Sequence, residues 1–112
     1  MHDTDESLLR ELAAIERLQT LASDSEATTE VRREYHLRRA VAVDQYAQQP
    51  AGTDFVDDAE KAARALLDFD RTFGTSRGPE PATDEKWDHD PRGYVRRQHV
   101  LEMHPEHRRS HA

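Results

Sequence analysis

FVDDAEKAARALLDFDRTFG, residues 55–74, is the stretch that decides the fold. Phe55, Ala59, Ala62, Leu66, Phe69 and Phe73 return at steps of three and four, the spacing that lines up one face of an α-helix. Thr53 or Asp54 can cap its start, Asp57 and Asp58 suit the positive end of the helix dipole, and Arg71 suits the negative end. Gly74 stands where a left-handed residue would end the helix. Asp57 with Lys61 and Glu60 with Arg64 are placed for i,i+4 ion pairs on the solvent side.

Upstream, Gln49-Pro50-Ala51-Gly52 is a strong stop and predicts that a second helix, over about residues 29–48, ends there. Its main stripe is Val31, Tyr35, Ala42 and Tyr46, with Leu37 and Val41 on a neighbouring face and Ala40, Val43 and Ala47 opposite. Apolar residues on several faces mark a central helix, or one whose second face meets another chain. A first helix, from Asp5 or Ser7 to about Leu21, follows from Leu8, Leu12, Ile15, Leu18 and Ala22, with Leu9 and Leu21 widening the stripe and Glu6 and Arg10 spaced to pair. Ser23-Asp24-Ser25-Glu26 reads as a capping box, and with Thr28 and Thr29 it places a turn between Ala22 and Thr29. At 1.5 Å per residue the three helices come to roughly 25–30 Å, matched lengths that suit antiparallel packing. The fold class predicted is all-α: a three-helix antiparallel bundle over residues 1–74.

Downstream of Gly74 the character changes. Residues 75–84 form a turn-rich linker without a core pattern, and Asp90-Pro91 offers a cap and first-turn proline for a short fourth helix from Pro91 to about Met103, with Gly93 as a weak point and Pro105 beyond. The predicted organisation is therefore a body, 1–74, and an extended C-terminal arm, 75–112. Residues 1–74 carry 16 acids and 9 bases, while 75–112 carry 7 of each, so the net charge of −7 belongs to the body. Such an acidic body argues against a nucleic-acid partner, which calls for a coherent cationic face.

With 112 residues, 35% of them hydrophobic, and a mean hydropathy of −1.02, the chain has material for one thin core. It contains no cysteine, which excludes disulfides, thiolate metal sites and a thiol nucleophile. The acidic N-terminus does not resemble a secretory signal and no apolar run reaches membrane-spanning length, so a cytoplasmic protein without a membrane partner is expected. Fourteen arginines against two lysines, with abundant alanine, fit a bacterial source with a GC-rich genome.

Four groups of residues could carry function. Trp87, Tyr94 and Leu101 put the chain's one tryptophan among aliphatics in an otherwise polar arm, and they are expected either to fold back onto this chain's own bundle or to anchor a protein partner or a second copy, the second being the role assigned to them. Arg32 and Arg39, seven apart on one helical face, could grip an acidic partner, although Glu30 and Glu34 stand nearby. His99, His104, His107 and His111 supply imidazoles for zinc or another divalent transition metal, but their spacing matches no established ligand pattern. The same histidines would make the arm cationic in mild acid. Tyr35, His36 and Tyr46 could line a ligand site between helices.

No phosphate loop, nucleophile elbow, HExxH or Glu-x-x-His element is present, so the reading leans away from an enzyme and assigns no catalytic residue and no cofactor. The function expected is that of a small interaction or accessory protein, working as a homodimer or as a subunit of a complex. A metal-responsive accessory protein and a small helical enzyme or ligand binder are the alternatives.

Overall fold

In a computed structural model, described for residues 2–104 and with side chains from Glu6 onward apart from Leu8, the chain folds into four α-helices. These are α1 (His2–Ala22), α2 (Thr29–Ala47), α3 (Val56–Phe73) and α4 (Pro91–Met103); no strand occurs among the described residues. The fold is all-α, as the helical periodicity predicts.

Local chemistry explains the boundaries. Asp24 accepts a hydrogen bond from the Glu26 amide within the first turn, and the α2 cap is Thr28, whose hydroxyl accepts from the Val31 amide at 3.2 Å. Pro50–Phe55 forms a 3-10 turn, so α3 begins at Val56 without the side-chain cap expected from Thr53 or Asp54. Gly74 ends α3 at φ 64°, the left-handed conformation that costs glycine least. Asp90 caps α4 by accepting from the Gly93 amide at 3.0 Å, with Pro91 in the first turn. Glycine at 93 suits that cap, because a Cβ there would lie 2.1 Å from the Asp90 carboxylate.

The packing differs from the predicted bundle. The helices that enclose the core are α2, α3 and α4, while α1 makes its extensive contacts with α2 alone. Arg33 of α2 meets Asp70 late in α3 and Gln98 late in α4, whereas Asp44 meets Arg92 and Arg96 early in α4. Those pairings make α2 antiparallel to both. Small residues allow the close approach: Ala40 on α2 and Ala59, Ala62 and Ala63 on α3 are buried beside Leu37, Leu66 and Leu67.

The segment read as an arm completes this core. Trp87, Tyr94 and Val95 join its main cluster, Ala82 is buried with them, and Leu101 is fully buried. Trp87 and Tyr94 meet edge to face at 5.4 Å, and the indole N–H donates to the Pro81 carbonyl at 3.2 Å. Trp87, Tyr94 and Leu101, expected to anchor a partner, are thus occupied within their own chain, because α3 and α2 together leave an apolar face that α1 does not cover.

Candidate interaction surface

Two buried polar clusters hold the core helices and determine which charges remain for the surface. Asp70 accepts from Arg33 Nε at 2.8 Å and Nη2 at 3.1 Å, from the Thr75 hydroxyl at 2.6 Å and from the Tyr94 hydroxyl in a short contact. Gln98 extends the network. Its Oε1 accepts from Arg33 Nη2 at 2.7 Å and from the Arg77 amide at 2.9 Å, and its Nε2 donates to the Arg77 carbonyl at 3.0 Å. Burial lowers the affinity of Arg33 for its proton, but Asp70, Tyr94 and Glu102 outweigh that and hold it more firmly protonated than usual. Burial, and then donation to Asp70, push the Tyr94 hydroxyl far above the ordinary phenol range.

Asp44 is the second hub, accepting from Arg92 at 2.6 Å, from both Nε and Nη2 of Arg96 at 3.0 Å and from Gln48 at 2.9 Å. Burial alone would raise its carboxyl; hydrogen bonds from Arg96 and Arg92 hold it below the usual carboxylate range instead. The segment between α3 and α4 is strapped down by Arg71, which donates to the Ala82 carbonyl at 2.7 Å, Asp88 at 2.9 Å and the Asp84 carbonyl at 3.3 Å. Arg64 reaches the Asp88 carbonyl rather than Glu60.

Against this enclosed core, α1 leaves two open flanks along α2. Toward α4 lies a cleft of about 780 Å³, floored by Leu37, Val41, Ala42 and Met103. Its charges answer one another: Arg38 pairs with Glu11 and Glu34, Arg77 with Glu30 and Glu102, and Arg33 with Asp70 and Glu102. Tyr46 and His99 line this cleft, whereas Tyr35 and His36 do not. The predicted trio of ligand residues is therefore not gathered in one cavity.

The flank toward α3 has a different character. Tyr35, His36, Phe69 and Phe73 form a ladder with successive ring centroids 5.3, 5.1 and 4.6 Å apart, and at the far end of α3 Phe55 meets Tyr46 at 5.2 Å. Phe73 is 51% exposed and Phe55 42%. Helical spacing puts Leu12 of α1 on the same side: Ser7 and Glu11 turn toward the cleft, and Leu12 lies about 100° beyond Glu11 and about 60° beyond the buried Ile15, on the opposite flank of the line that meets α2, with Leu9 about 60° further round, where that flank turns outward to solvent. Leu9 is 65% exposed and Leu12 44%. Arg32 and Arg39, the predicted cationic pair, stand on this flank of α2. Arg32 reaches only the Asp24 carbonyl, at 3.5 Å, and neither has a carboxylate partner among the described residues. His36 sits between the two: its burial, then the nearby Arg39, lower its pKa, with Asp70 opposing.

Among the described residues no three histidine, aspartate, glutamate or cysteine side chains gather as a metal site. His99 lies in the cleft and His104 follows the end of α4; His107 and His111 lie outside the described residues. No described helix is long and apolar enough to cross a membrane. Compared with family models, curated proteins and solved structures, the chain shows no match.

Sequence reasoning singled out Arg32 and Arg39, and Tyr35 and His36 as ligand candidates, but not the ladder that those two rings form with Phe69 and Phe73. Phe69 and Phe73 carry the helical period that marks α3 as a core helix. The exposure of Phe73 and the half-burial of Phe69 follow from α1 standing off α3, which no local pattern encodes.

Proposed function

We propose that this chain is a small helical interaction protein acting in the cytoplasm, and that its working surface is the flank formed by α1, α2 and the outer edge of α3. The observation that carries the reading is the aromatic ladder from the half-buried Tyr35, His36 and Phe69 to the exposed Phe73, beside the exposed Leu9 and Leu12 and two cations without carboxylate partners among the described residues. Apolar surface gathered in one place and rimmed by charge is the usual mark of a contact region, whereas single exposed leucines are not. The two buried hubs suit the same role, since they fix the three core helices rigidly and so preorganise the face they present.

A photo-crosslinking residue introduced at Phe73 tests this in the native host, with the same residue at Glu85, in the turn between α3 and α4, as control. A discrete adduct from position 73 and none from position 85 is the expected result. Indiscriminate labelling from both positions, or none from either, overturns the reading.

A further inference from the structure

We infer that the aromatic and basic strip is a homodimer interface, on which a second copy of this chain lays its own strip about a two-fold axis with Glu16 of one copy beside Arg39 of the other. This rests on the interaction reading above and names the partner.

The surface carries unmatched charges of both signs. Glu16 lies on the same side of α1 as Leu9 and Leu12, one helical step of seven from Leu9. It is exposed and pairs with no cation among the described residues, just as Arg39 pairs with no carboxylate. A surface that is its own complement is what a two-fold contact requires, because each residue then meets its counterpart twice.

Register brings the two charges together. Arg38 Nη2 lies 3.3 Å from Glu11 Oε1, and the turn from Ser23 to Thr28 reverses the chain, so α1 runs antiparallel to α2 with Glu11 level with Arg38. Five residues along α1, Glu16 stands about 7.5 Å further toward the start of α2, near the level of Arg33. Arg39 is about 9 Å away along the axis, too far for an internal pair. A two-fold axis midway between those levels passes close to His36, whose ring lies 5.1 Å from that of Phe69. Such an axis exchanges the levels of Glu16 and Arg39, puts the two aromatic ladders face to face and forms two ion pairs at once.

Charge also selects this contact over others. The body, residues 1–74, has a net charge of −7, so copies meeting through an arbitrary face would repel. The strip is where Arg32 and Arg39 interrupt that acidity.

Sedimentation equilibrium of the full chain across a concentration series should show a monomer–dimer equilibrium. Arg39→Glu and Glu16→Arg, each at an exposed position and each checked for an unchanged far-UV circular dichroism spectrum, should weaken the dimer about tenfold or more, because each reversal opposes two pairs at once. The double variant, which restores opposite charges across the axis, should recover most of the loss. A monomer at every concentration overturns the inference, and a discrete heterologous adduct from position 73 would then leave the interaction reading standing. A dimer indifferent to both reversals places the contact elsewhere, and a dimer weakened by both without recovery in the double variant removes the Glu16–Arg39 register; either result overturns the inference.

Discussion

The α2–α3–α4 core and the α1 rim are built from similar material and hold together by different means. In the core, alanines bring the helices close and the space between is closed by Leu66, Leu67, Tyr94 and Trp87, while Asp70 and Asp44 each tie separate helices through buried charge-assisted hydrogen bonds. At the rim, Ile15 is the one buried apolar side chain of α1 among the described residues, and the ion pairs of α1 are half exposed, as in Arg38–Glu11. A helix held on one side by a thin stripe and solvent-screened charges is free to spend its other side on a partner.

The comparison breaks most directly at Asp70. Asp70→Ala would leave Arg33 as a buried cation without its main counter-ion and should cost about 3–5 kcal/mol in chemical denaturation. A loss below 1 kcal/mol would mean that water reaches Arg33 and that the cluster is not a core element. Trp87→Ala should cost a similar amount, about 3–5 kcal/mol, because the indole is packed against Tyr94 inside this chain. If instead it leaves stability unchanged and abolishes association, Trp87 is a partner anchor after all.

Leu66→Ala should cost about 2–5 kcal/mol, and Ile15→Ala should fall at or below the lower end of that range, since α1 can shift to close a cavity that the enclosed core cannot. Equal losses would erase the distinction between core and rim. Amide hydrogen exchange sharpens it: α1 amides should exchange through smaller openings than those around Leu66, which should require global unfolding.

A smaller effect is expected from acid. Burial and Arg39 lower the His36 pKa below its unfolded value near 6.5, so between the two values the unfolded chain binds more protons and stability rises with pH. Stability at pH 7 should therefore exceed that at pH 5.5, and His36→Gln should remove this group's share of the difference. A slope unchanged in that variant would assign the dependence to other groups. At the strip itself Arg39→Glu should move stability by no more than about 0.5 kcal/mol, the range of ordinary surface changes, while weakening association.

How much of this was legible varies with the distance over which each element is specified. The turn before α2, the termination of α3 at Gly74 and the whole of α4 from Pro91 follow from residues within one helical turn of the boundary. Gly93 looked like a defect in α4 and is accommodated by its neighbour Asp90, which needs the room. The linker read as patternless because its order comes from elsewhere: Arg71 on α3 and Gln98 on α4 hydrogen-bond to its backbone. Arg33 read as one cation in a surface cluster, since nothing near it in sequence announces Asp70, 37 residues away.

The sequence by itself determined the helices, most of their caps and turns, the thin core and the acidic balance of residues 1–74, because all of these rest on composition and on spacing over a few residues. Tertiary structure alone decided which helix fills the groove between α2 and α3. The stretch with Trp87, Tyr94 and Leu101 does so rather than α1, because its aromatics match the volume that the alanines of α3 leave open, and its polar groups reach Asp70 and Arg33. That choice leaves one flank of α1 and the Phe73 end of the ladder on the surface, with Tyr35, His36 and Phe69 half-covered. Exposure of a side chain depends on what every other helix covers, and no local pattern carries that information.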